Sequence, residues 1–130
     1  MSAGGHIRTP LARVRGLGAS RSGTLDFWHM RVTSVALVPL SLAFVIIVVV
    51  LLGRNHAAVV QILGSPLVAI LMLLFLVTNA YHMWIGMQEI IIDYIHDELP
   101  KLAALMANTF FCIATGLACV FAILRLSFGV

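Results

Sequence analysis

The residues with the most chemical potential lie together in one stretch, Thr78 to His96, reading TNAYHMWIGMQEIIIDYIH. On an α-helix at 100° per residue, Thr78, Asn79, Gly86, Glu89, Asp93 and His96 all fall within about 60° of His82. Such a polar stripe, on a helix otherwise made of apolar residues, must look into protein, a cofactor or a water-filled site. His82 lies about 10.5 Å along the axis from Glu89 at 1.5 Å per residue, so a Glu89 at the interface leaves His82 well inside hydrocarbon. A neutral imidazole there either hydrogen-bonds a neighbouring helix or ligates a metal such as haem iron.

Gly86, one turn from His82 on the same face, fits both uses. A porphyrin beside a ligating helix needs a residue without a side chain near the iron ligand, and small residues also let membrane helices approach closely. Asp93 and Tyr94 sit at the boundary, where a phenol donates a hydrogen bond and a carboxylate accepts or relays a proton. Those are the groups a quinone carbonyl needs, although Tyr also belongs to the interfacial aromatic belt. Before the first apolar run, Phe27 and Trp28 read as interface anchors, with His29 and Arg31 beside them. Arg31 offers a bidentate guanidinium to a carboxylate such as a haem propionate, or else sets topology. No histidine but His82 lies inside an apolar run, so a haem with two axial ligands takes its second from another polypeptide.

The elements that must position these groups are plain in the composition. The 130 residues are 62% hydrophobic and 10% charged, too few charges to cover a soluble core of this size. Three runs are free of charge: Val32 to Gly53, Pro66 to Gln88 and Leu102 to Leu124. Each is long enough to cross a hydrocarbon core of about 30 Å as a helix. Pro39 frees the Val35 carbonyl in the first, with Thr33 and Ser34 near enough to compensate. Ser65 and Pro66 read as the N-cap and first residue of the second, which is expected to run on to about residue 92. Pro100 helps to open the third.

The expected architecture is all-α and integral to the membrane: a basic tail over residues 1–25, then a three-helix anchor domain over 26–130 with spans near 32–53, 66–92 and 102–124. Arg8, Arg13, Arg15, Arg21, Arg31 and Lys101 fall on one side and Arg54 and Arg125 on the other. The positive-inside rule therefore puts the N-terminus in the cytoplasm of a bacterium, at its inner membrane, or on the matrix side of a mitochondrial inner membrane. The Gly- and Ser-interrupted tail is a topology signal rather than a nucleic-acid-binding arm. Cys112 and Cys119 stand about 10.5 Å apart along one helix, too far to pair and too few for an iron–sulfur site.

The segment HMWIGMQEIIIDY, His82 to Tyr94, together with Arg31-Val32-Thr33-Ser34 opening the first span after Asp26-Phe27, resembles the hydrophobic membrane anchors of succinate dehydrogenase, respiratory complex II. The resemblance covers about residues 24 to 128. It implies a heterotetramer with a flavoprotein, an iron–sulfur subunit and a second membrane anchor, the two anchors forming one cytochrome b helical bundle in aerobic electron transport and the tricarboxylic acid cycle. It further implies His82 as one axial ligand of haem b, Arg31 near the propionates, and Tyr94 with Asp93 beside it at the ubiquinone site. Leu25 stands where some relatives carry a histidine. No catalytic activity is expected of the isolated chain. A different class, a small oligomeric channel or proton-coupled exporter using Glu89 and His82 as a polar path, also fits the stripe. So does a purely structural anchor in which His82 only bonds a neighbouring helix.

Overall fold

The computed structural model describes residues 10–11 and 23–129. Most of the basic tail, with Arg8, Arg13, Arg15 and Arg21, lies outside them; its last residues, 23–25, belong to the first helix. Four helices make up the described chain: α1 Gly23–Leu51, α2 His56–Gly64, α3 Pro66–Tyr94 and α4 Glu98–Phe128. Three of them, α1, α3 and α4, are long and apolar enough to cross a membrane. At 29, 29 and 31 residues they outrun the uncharged stretches at several ends, so their terminal turns carry Asp26, Asp93, Glu98 and Arg125.

Local chemistry sets the boundaries. α1 closes at Gly53, whose φ of 72° is the left-handed conformation that glycine adopts without a Cβ clash. Asn55 then caps α2, its side-chain oxygen accepting a 2.9 Å hydrogen bond from the Ala58 amide. This short helix was not expected from the sequence. Ser65 ends α2 and begins α3, but its hydroxyl donates back to the Ile62 carbonyl at 2.7 Å and makes no cap bond to α3. Pro66 takes the first position of α3, where its missing N–H costs nothing. Asp97 precedes α4, Pro100 falls in its first turn, and Gly129 at φ 67° ends it. α1 stays helical through Pro39. The expected help from Thr33 and Ser34 goes elsewhere: Ser34 donates to the Met30 carbonyl at 2.7 Å, and Thr33 reaches the carbonyls of His29 and Met30.

α3 is the central helix, packed on α1 and on α4, while α2 leans on α4 and α3. The apolar core gathers at the end nearest α2, where Ile47, Ala69, Met72 and Ile123 are buried and the Phe44 and Phe75 rings stack at 4.6 Å. The cross-helix polar contacts gather toward the other end. Among the described residues no large side chain is fully buried, as expected of a chain that meets lipid or protein partners on most faces.

Two glycines on these interfaces differ in kind. A Cβ on Gly64 would stand 2.9 Å from the Leu126 carbonyl oxygen of α4, a backbone atom with no rotamer to yield. A Cβ on Gly116 would meet the Ala80 Cβ at 3.6 Å, an ordinary contact. Gly64→Ala is therefore expected to lower stability by about 1–3 kcal/mol, the usual cost of overpacking, and Gly116→Ala to change it little. Thermal unfolding of the two variants in detergent checks this; equal losses would contradict it.

Candidate functional site

At its polar end the α1–α3 contact joins four side chains, two from each helix. Thr33, buried on α1, brings Oγ1 within 2.8 Å of Nδ1 of His82. One turn earlier on α1, Nδ1 of His29 meets the Tyr81 hydroxyl at 3.2 Å, and the two rings pack edge to face with centroids 6.0 Å apart. Position i and i−4 on α1 thus engage consecutive residues of α3, which fixes both the rotation and the register of the pair. His82 is half-buried and lies about 18 Å along α3 from Tyr94 by the helical rise, deep in the span. Among the described residues its Nε2 takes no hydrogen bond, so one ring nitrogen is engaged by α1 and the other is open to an external group.

Gly86 faces the same helix. A Cβ placed on it would touch only the Met30 Cε, at 3.7 Å, an ordinary distance. Close approach of α1 does not require glycine at position 86, in contrast to position 64. The donor set and the bare position beside it fit a porphyrin bound to His82, with one imidazole from this chain.

The opposite side of α3 is tied to α4. Trp84 donates its indole N–H to Thr109 Oγ1 at 3.1 Å, Thr109 donates to the Leu105 carbonyl, and Asn108 donates its amide N–H to the Trp84 carbonyl at 3.1 Å. Cys112 is buried beside Asn108, its Sγ 3.4 Å from Oδ1. Trp84, Thr109 and Cys112, with Ala80, Tyr81 and Ile113, line an apolar cavity of about 310 Å³ between α3 and α4. A second cavity of about 320 Å³ lies between the start of α1 and the end of α3, with the carboxylates of Asp26 and Glu89 at its edge.

The other expected site residues are dispersed on this chain. Arg31 is exposed and stacks over the Phe27 ring at 4.9 Å. It lies about 160° around α1 from Thr33 by helix geometry, so the chain does not bring it to His82. Asp93 and Tyr94 end α3, with Tyr94 80% exposed. Of the polar stripe, Asn79, Glu89 and Asp93 are exposed, so the chain folds no internal polar path along it. His96 lies beyond the last helical residue and drops out of the stripe. Sequence reasoning missed the pairing of Thr33 with His82, that of His29 with Tyr81, and the anchoring of Trp84 by Asn108 and Thr109. A polar residue inside an apolar run, Asn108 above all, was the available signal.

Comparison with known proteins gives the chain as a whole a family context. Residues 6–123 match the family model for the succinate dehydrogenase/fumarate reductase transmembrane subunit. A succinate dehydrogenase hydrophobic membrane anchor subunit of Paracoccus denitrificans is 31% identical, covering 93% of each chain. One of Rickettsia bellii is 26% identical, over 90% of this chain and 94% of the relative. No solved structure matches the chain.

Asn108→Ala removes the amide that holds the Trp84 carbonyl. It is expected to lower stability to detergent unfolding by about 0.6–2 kcal/mol, the range for hydrogen bonds between membrane helices. An unchanged unfolding curve would show that the Asn108 hydrogen bond adds nothing to the α3–α4 contact.

Proposed function

The chain belongs to the succinate dehydrogenase/fumarate reductase transmembrane-subunit family, and from that premise we propose that it is a membrane anchor of succinate:ubiquinone oxidoreductase. In this reading it holds the flavoprotein and iron–sulfur subunits to the membrane, shares a haem b with a second anchor and contributes to the ubiquinone-reduction site. The assembly sits in a bacterial or mitochondrial inner membrane, N-terminus on the cytoplasmic or matrix side, and serves aerobic electron transport and the tricarboxylic acid cycle. The observation that carries it is His82: a span-embedded imidazole, oriented from α1 through one nitrogen, open at the other, and next to a glycine that its own helix packing does not require.

His82 would hold haem b through Nε2, and Arg31 on the exposed side of α1 would pair with propionates at the anchor–anchor boundary. When bound, haem supplies a one-electron store inside the membrane. The second imidazole is the partner anchor's to give. Tyr94 donates its phenolic hydrogen to a quinone carbonyl, which lowers the cost of charge building on that oxygen as electrons arrive from the iron–sulfur subunit. Asp93 is placed to pass a proton toward the same oxygen, and reduction to the quinol consumes two electrons and two protons. Tyr94 can serve only if a partner covers it, because on this chain alone it faces outward. The site is therefore one that assembly completes.

A structural reading has its own support, since His82 does bond a neighbouring helix. The two roles coexist, because an imidazole has two nitrogens. They part in the His82→Ala variant of the assembled complex: haem lost with flavin retained is expected, and a full haem spectrum would leave His82 as a packing residue. Tyr94→Phe should lower the rate of quinone reduction about ten-fold or more, the value of one hydrogen bond to developing charge, with assembly unchanged. Wild-type quinone kinetics in that variant would remove Tyr94 from the site.

A further inference from the structure

We propose that Thr33 is a positioning residue for His82, holding the imidazole in its Nδ1–H tautomer so that the lone pair stands on Nε2, toward the haem iron. The proposal rests on the reading of His82 as a haem ligand and names what in this chain prepares it.

The argument is a count of protons. Thr33 Oγ1 lies 2.7 Å from the His29 carbonyl oxygen, 3.1 Å from the Met30 carbonyl oxygen and 2.8 Å from His82 Nδ1. A hydroxyl has one proton to give and can accept two, whereas a carbonyl only accepts. Were the proton given to Nδ1, the oxygens of Thr33 and His29 would face each other at 2.7 Å with no hydrogen between them, a repulsive contact. With the proton directed at the backbone, both carbonyls face a donor and Oγ1 keeps a lone pair for the ring. Nδ1 must then carry the hydrogen and donate it. In a neutral imidazole that leaves Nε2 bare.

Two further features make Thr33 suited to the task. Its β-branched side chain is restricted at χ1, and the backbone bonds pin the hydroxyl further. It is also buried, one of two buried polar residues among those described, with Asn108 the other. Water therefore does not compete for the ring, and the imidazole meets its partner in a medium where an unpaired N–H is costly. Histidines that ligate metals usually donate their second N–H to such an outer partner, which orients the ring and raises its basicity.

The test uses the assembled complex with Thr33→Val, which keeps the shape and loses the hydroxyl, and Thr33→Ser, which keeps the hydroxyl. Two readouts matter: the rate of haem loss to a scavenging apoglobin, and the haem midpoint potential. Loss of the hydrogen bond weakens donation to ferric iron, so Thr33→Val is expected to lose haem about ten-fold faster or more and to shift the potential in the positive direction. Thr33→Ser is expected to restore both. A Thr33→Val complex with wild-type haem loss and potential overturns the proposal while the haem reading stands, provided His82→Ala still removes haem. Haem kept in full by His82→Ala overturns both. Should Thr33→Val not assemble, redox-difference infrared spectra of the wild-type complex, with and without ¹⁵N-histidine, decide. A ring mode sensitive to hydrogen–deuterium exchange at Nδ1 is expected, and its absence overturns the proposal.

Discussion

Hydrocarbon offers no hydrogen bonds, and that one constraint organises the chain. Apolar side chains gain little by leaving lipid for protein, so they cannot by themselves decide how one helix meets the next. Polar side chains inside a span can, because each must find a partner. Here they do so in two sets, on opposite sides of α3. Thr33 and His29 of α1 meet His82 and Tyr81; Asn108 and Thr109 of α4 meet the Trp84 backbone and indole. α3 is thereby fixed in rotation between its neighbours. The other end of the bundle is packed by shape, with Phe44 against the cluster of Ile47, Met72 and Ile123 and stacked on Phe75, and α2 closing against α4 at Gly64.

The polar end is also the incomplete end. Tyr94, Asp93 and Arg31 are exposed, and His82 engages its own chain through one nitrogen only. In a subunit of a larger complex such groups are available to other subunits. The architecture thus separates an end packed by shape from an end whose polar groups stay exposed, which accords with a family of transmembrane subunits.

Much of this was legible in the sequence, for physical reasons. Charge-free runs announce spans because charges are excluded from hydrocarbon, and the Ser65-Pro66 pair marks the start of α3 because proline is favoured at the first helical position. Tyr94 closes α3 where charged residues begin. α2 was not legible, since its residues, His56–Gly64, are as apolar as the spans and only the Asn55 cap betrays it. The stripe around His82 was read from one helix alone. Which of its members are covered depends on how α1 and α4 cross α3, and that is not local information. Thr33 illustrates the gap: as a lone threonine near a proline it looked like backbone repair, and its bond to a residue 49 positions away follows only from the crossing.

The central claim is that this chain supplies half of a shared haem site within a succinate-oxidising complex. Its most direct test is the reduced-minus-oxidised visible spectrum of whatever copurifies with the tagged chain from its native membrane. The account predicts a b-type haem signal together with bound flavin and iron–sulfur centres. Copurified flavin and iron–sulfur partners without any haem absorbance would contradict it, and would leave the chain an anchor whose histidine serves the helices alone.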